Sequence, residues 1–176
     1  MAQNPAANSH AQAELLKDII YAANDGIITT FAVAAGVAGG GLPAITVLIL
    51  GFANLFSDGF SMAVSNYLGT ETEKDFLEAE KNKEAKYERP FRNSIATFFA
   101  FMIAGIIPIM PFLAYSDREG FILSIGSSLL ALFLIGALRA LYTRKNWLVS
   151  GFEILFLGAI AASIAYGVGY FVQSLF

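Results

Sequence analysis

The sequence predicts an all-α, polytopic membrane protein with five transmembrane helices. Of its 176 residues, 56% are hydrophobic and only 14% charged, against about 25% charged in an ordinary soluble domain. Four stretches exceed the ~20 apolar residues needed to cross hydrocarbon, and a fifth is interrupted by one Asp. The chain also holds 16 Gly and 16 Phe, a composition that suits helices packed in lipid, where small residues let backbones approach closely.

A polar tail, residues 1–18, precedes the five-helix domain of residues 19–176. The tail lacks a basic stretch followed by a short apolar run and a cleavage site, so no removable signal peptide is expected. The first span runs from about Ile19 to Gly39 and ends in the turn "GGGLP"; the second runs from about Ala44 to Leu68. A charged segment follows, "TETEKDFLEAEKNKEAKYERPFRN", within a cytosolic helical region over residues 69–90. The third span is about Ser94 to Tyr115, with Pro108 and Pro111 near its end. The fourth is about Phe121 to Tyr142 and the fifth about Trp147 to Phe171.

Five spans put the termini on opposite sides. With the N-terminus in the cytosol, that side receives Lys17, six basic residues of the charged segment, Arg139, Arg144 and Lys145. These are ten of the eleven Lys and Arg, and only Arg118 falls outside. The positive-inside rule therefore predicts N-terminus in and C-terminus out. The membrane would be the cell membrane in a prokaryote and a vacuolar or other organelle membrane in a eukaryote.

Several chemistries are excluded early. Cysteine is absent, so no disulfide or thiolate metal site is available. The only histidine, His10, lies in the polar tail, which argues against histidine-based zinc sites and Ser-His dyads. No enzyme, resident cofactor or nucleic-acid partner is expected.

The segment Glu71 to Glu88 alternates acid and base among strong helix formers, and it reads as a continuation of the second helix. Glu73, Glu80, Glu84 and Leu77 would share one face. Two readings stand: a solvated helix laced with ion pairs among neighbours such as Glu80, Lys81 and Glu84, or an acidic face that collects cations. The fifth span carries Gly151, Gly158, Ala161, Ala162, Ala165 and Gly169, a seam expected to pack helices. Glu153, a turn inside the cytosolic end of that span, would either snorkel or pair with Arg144 or Lys145.

The second span contains "GFANLFSDGFSMAVSNYLGT". Asn54, Asp58, Met62 and Asn66 recur every fourth residue, with Ser61 and Ser65 one step aside, so one helix face is polar. The first span holds Asp25, ~9–10 Å from its cytosolic end, and Asp58 is ~15 Å from that of the second. No basic residue lies at similar depth. Either the two aspartates cap, kink or pair structurally, since Asp-Gly marks local helix irregularity, or an unpaired carboxylate there must be protonated, hydrated or bound to a cation. Carboxylate, amide and hydroxyl oxygens alone would suit Mg²⁺ or Ca²⁺, whereas Met62 adds a soft thioether and points toward Fe²⁺ or Mn²⁺.

The stretches "NDGIITTFAVAAGVAG", "GFANLFSDGFSMAVSNYLGTETE", "AGIIPIMPF" and "AASIAYGVGYF" together resemble the vacuolar iron transporter family of iron and manganese exporters. The resemblance runs in order across all five spans. It implies a homodimer of five-helix subunits, an ion path at the two-fold interface lined by the first two helices, and proton-coupled export of divalent metal from the cytosol. It also implies that Asp25 matches the family's first-helix aspartate and Met62 its second-helix methionine. Asn54 and Asn66 stand where members often have glutamate, and Asp58 where others often have a small residue. The second carboxylate has thus moved one turn along the same face. Eukaryotic members carry a longer cytosolic metal-binding region, of which only Glu71 to Glu88 has a counterpart here.

A two-fold axis would gather two Asp25 and two Asp58. Four carboxylates in a low-dielectric space cannot all stay ionised without counter-charge, which metal or protons can supply in competition. The candidate metal residues are therefore Asp25, Asn54, Asp58, Met62 and Asn66, with Glu73, Glu80 and Glu84 as a secondary cation-collecting group. The expected partners are Fe²⁺ or Mn²⁺, protons, the lipid bilayer and a second copy of the chain. Two other readings compete: a proton-coupled exporter of organic cations, which would call for more Trp and Tyr at the site, and a membrane scaffold subunit without transport.

Overall fold

The structure, a computed structural model, describes residues 5–115 and 117–176. Five α-helices account for most of the described residues: α1 Pro5–Gly39, α2 Ala44–Ala79, α3 Pro90–Gly105, α4 Asp117–Thr143 and α5 Trp147–Gln173. Short 3₁₀ turns occupy Lys83–Tyr87 and Met110–Leu113, and no strand occurs among the described residues. Four helices, α1, α2, α4 and α5, are long and apolar enough to cross a bilayer. Phe56, Phe60, Leu130, Leu134, Phe152 and Phe156 are exposed on their outward faces, where water would disfavour them and lipid would not. The chain is a multi-pass membrane protein.

Helix α1 is central and packs against all four others. It approaches the backbones of both α3 and α5 closely, through Gly26 and Gly105 on one side and Gly39 and Gly169 on the other. A Cβ at Gly26 would lie 2.5 Å from the Phe101 carbonyl oxygen, and one at Gly105 would lie 2.8 Å from that of Gly26. Thr30 strengthens this crossing by donating to the carbonyls of Gly26 (2.6 Å) and, across the interface, Gly105 (2.8 Å). Apolar layers built on Ile27, Leu132 and Ile154, and on Leu55, Phe101 and Ile109, fill the space around it. The small-residue seam of α5 packs as expected, with Gly151, Gly158 and Ala162 buried.

The structure extends the sequence reading in one place and departs from it in several others. First, α1 is already helical from Pro5, within the polar tail, and continuous into the first span. Second, α2 stops at Ala79 instead of running to Glu88. The Asn82 and Lys81 amides fold back onto the carbonyls of Leu77 and Glu78 at 2.8 and 3.0 Å, and Lys81 sits at φ 56°. That is the left-handed stop that ends many helices. Asn82 then accepts from the Glu84 amide to start the 3₁₀ turn. Among the described residues, the ion pairs of this region are Lys74 with Glu71 and Glu78, and none joins Glu80, Lys81 and Glu84.

Third, the regular part of α3 spans 16 residues, ~24 Å, and ends well before Tyr115. Proline has no amide hydrogen and clashes with the preceding turn. The chain accordingly tightens ahead of Pro108, where the Ile107 amide bonds the Ala104 carbonyl. Ser124 of α4 donates to the Pro108 carbonyl at 2.7 Å, satisfying a buried acceptor left by the break. Glu153 approaches Arg139 at 3.9 Å, in place of Arg144 or Lys145.

Candidate metal centre

The polar stripe of α2 lies along the border of its packing face. Gly51, Leu55 and Gly59 are buried against the neighbouring helices, while Phe56 and Phe60 face outward. Asn54, Asp58, Met62 and Asn66 fall between them, and all four are half-buried. Asp25 on α1 is also half-buried, and Asp58 lies within electrostatic reach of it.

The glycine after each aspartate sets this meeting. Gly26 rests on the Phe101 backbone, and a Cβ at Gly59 would lie 3.2 Å from the Phe101 ring. Phe101 itself is fully buried. One residue of α3 therefore holds α1 and α2 at the same level, which brings the two preceding carboxylates level as well. Both helices run unbroken through Asp-Gly, so the motif marks close packing and not a kink.

Neither carboxylate has an ion-pair or hydrogen-bond partner among the described residues. The nearby Thr29 hydroxyl is taken up by the Asp25 backbone carbonyl at 2.9 Å. Asn54 Nδ2 and Asn24 Oδ1 are buried without partners. The site thus gathers two acids and spare amide groups with no protein cation to balance them, an arrangement suited to a mobile cation.

Toward the N-terminal end of α1, Asn66 Nδ2 donates to Asp18 Oδ2 at 2.9 Å. A cavity of ≈ 370 Å³ opens here, lined by Lys17, Asp18, Tyr21, Met62, Ser65, Asn66 and Thr97. Thr97 Oγ1 and Asn66 Oδ1 are buried and unpartnered. A larger cavity, ≈ 490 Å³, lies at the opposite end beside Arg118 and has no carboxylate among its described lining residues.

The structure therefore brings Asp25 within electrostatic reach of Asp58, places Met62 and Asn66 together at the ≈ 370 Å³ cavity, and leaves Asn54 one turn before Asp58 on α2. Glu73 continues the same side of α2 and lies within electrostatic reach of Glu88. Glu80 is exposed at the helix stop, and Glu84 belongs to the following 3₁₀ turn; the break in α2 keeps them from sharing a helix face with Glu73. Sequence reasoning overlooked Asp18, Asn24 and Thr97. A signal existed for Asp18: it precedes Asp25 by seven residues, two turns along one helix face.

Comparison with known proteins places the chain in a family. A family model described as the VIT family matches residues 16–88 and 82–170. The chain is similar to a vacuolar iron transporter of Toxoplasma gondii, 23% identical over 94% of this chain and 77% of the relative. It is also similar to vacuolar iron transporter 1 of Oryza sativa subsp. japonica, at 22% identity over 92% and 86%. A vacuolar iron transporter of Plasmodium falciparum is 24% identical over 95% and 85%. Matched over most of its length, the chain belongs to the VIT family.

Proposed function

We propose that this protein is a transporter, not an enzyme, and that it moves Fe²⁺ or Mn²⁺ out of the cytosol in exchange for protons. The observation that carries the reading is the Asp25–Asp58 pair: two membrane-level carboxylates within reach of one another and without a protein cation. Its support from kinship is that the relatives are named as iron transporters. Asp25 and Asp58 supply charge, Asn54 and Asn66 supply amide oxygens, and Met62 supplies a thioether that favours a transition metal over Mg²⁺. Protons and metal compete for the same oxygens, which is the minimum an exchanger requires.

In this reading α3 and the turn-rich segment after it form a fifth crossing, the N-terminus is cytosolic, and α2 projects beyond the membrane toward Ala79. The distribution of Lys and Arg supports that orientation. The transporter acts as a homodimer. Ala53, Ser57, Ser61 and Ser65 form an exposed row of small residues beside the polar stripe, which would let a second α2 approach closely. A two-fold pairing there would bring two sets of acids to one path.

Purified protein in liposomes loaded with a metal-sensitive dye and a pH dye tests the proposal. Inward Fe²⁺ or Mn²⁺ flux with opposite proton movement is expected. Metal-impermeable liposomes would refute it, and flux of organic cations alone would favour the competing exporter.

A further inference from the structure

A second group of donors lies at the N-terminal end of α1, remote from the membrane acids. His10 and Glu14 are one turn apart on that helix, and Glu88 follows the 3₁₀ turn that leads into α3. A ring nitrogen of His10 and one carboxylate oxygen from each glutamate all lie within 4.8 Å of one another. Two ligands on opposite sides of a single ion would be separated by about 4.2 Å, twice a metal–ligand bond of ~2.1 Å. Small side-chain rotations close that difference.

Glu88 is what distinguishes this group from ordinary surface charge. Its exposure is only 8%, yet its Oε2 is buried with no hydrogen-bond partner. Burial, with Glu14 and then Glu73 nearby, lifts its carboxyl above the ordinary glutamate value, and His10 and Arg92 offset this only in part. The Arg92 guanidinium instead donates to Asn93 Oδ1 at 3.3 and 3.4 Å. Among the described residues it forms no ion pair with Glu88. Lys17 reaches Glu14 only at 4.0 Å. A buried acid oxygen without a partner is unfavourable unless something positive meets it.

We infer that His10, Glu14 and Glu88 form a binding site for a divalent transition-metal ion, with Glu73 adding negative charge at its edge. Imidazole with carboxylates suits Mn²⁺, Fe²⁺, Co²⁺ or Zn²⁺ better than Ca²⁺ or Mg²⁺, which take oxygen donors. Three protein ligands leave positions for water, and exposed His10 keeps the ion exchangeable. Glu14 is eleven residues from Asp25, ~16 Å along α1, so this ion is separate from any held by the membrane acids. Occupancy would tie the start of α1 to the segment between α2 and α3. The site does not depend on the transport reading.

The sequence supplies a decisive label, because His10 is the only histidine. In untagged full-length protein in detergent, any histidine-nitrogen coupling to bound Mn²⁺, read by pulsed EPR, reports His10. That coupling is expected in the wild type and in the Asp25→Asn, Asp58→Asn double variant. It should vanish in His10→Gln, whose exposed position poses little risk to folding. Glu88→Gln, which keeps the side-chain shape, should weaken the Kd of this ion at least tenfold. Bound Mn²⁺ without histidine coupling, coupling lost in the double variant, or unchanged affinity in Glu88→Gln would each overturn the assignment. Histidine coupling in a wild type that carries no metal across liposomes would refute the transport reading and leave this site standing.

Discussion

Asn66 of α2 donates to Asp18 of α1 at 2.9 Å, and this bond joins the two helices on the side where the ≈ 370 Å³ cavity opens. Asp18 thereby has a neutral hydrogen-bond partner, and Lys17 also lines the cavity. Asn66→Asp would replace that donor with a second acid. Like charges held this close repel, and a bound divalent ion relieves the repulsion. The unfolding midpoint of Asn66→Asp in chelator is expected to fall below that of the wild type, and Mn²⁺ should raise it by more than it raises the wild type. Equal responses in both proteins would show that the cavity does not admit the ion.

Gly26 tests how the aspartates are set level. Its missing side chain faces the Phe101 carbonyl, and backbone cannot move aside as a flexible side chain can. Gly26→Ala should lower the unfolding midpoint, at a cost of ~1–3 kcal/mol from overpacking. It should also slow metal flux by displacing Asp25 from Asp58. Gly126, where an added Cβ meets nothing within 4 Å, provides the control: Gly126→Ala should leave both measurements near wild type.

Much of the fold was legible because lipid imposes a simple pattern. Long apolar runs, the "GGGLP" turn and the polar stripe of α2 are local features, and a helix displays them in sequence. The stop at Lys81 was harder to see, because the residue that adopts the left-handed conformation is neither Gly nor Asn. The early end of α3 was signalled by Pro108 and Pro111, but apolar residues beyond them masked it. Site residues divided along the same line. Asp25 and Asp58 stood out as acids in apolar runs, whereas Asp18 looked like an ordinary residue at a span's edge. The grouping of Glu88 with His10 and Glu14 depends on a tertiary contact across more than seventy residues, which no periodicity records.

Met62→Leu conserves volume, within about 1.5 kcal/mol of packing cost, and deletes the thioether. Fe²⁺ flux should weaken while Mn²⁺ flux is less affected, because Mn²⁺ favours oxygen donors. Comparing the two ions in one liposome preparation checks this. Equal losses would mean that the sulfur does not select.

Glu73 stays on α2 and near Glu88, whereas Glu80 and Glu84 lie beyond the helix stop. If these acids act by collecting cations, Glu73→Gln should raise the apparent KM for metal at low ionic strength. The joint change Glu80→Gln, Glu84→Gln should do less. The Glu73→Gln defect should shrink as salt shortens the Debye length toward ~8 Å at physiological strength. A defect that persists in high salt would instead make Glu73 a direct ligand.

The most direct measurement is Mn²⁺ flux through Asp25→Asn and Asp58→Asn in liposomes, alongside wild type at equal protein density. Each substitution removes charge and keeps side-chain shape, so assembly should be unchanged by size-exclusion profile. A shared metal site requires both carboxylates. Each variant should therefore lose at least tenfold in rate, about 1.4 kcal/mol, and the double variant should fall no further than the more impaired single one. Wild-type Mn²⁺ flux through either single variant would contradict a metal site shared by Asp25 and Asp58.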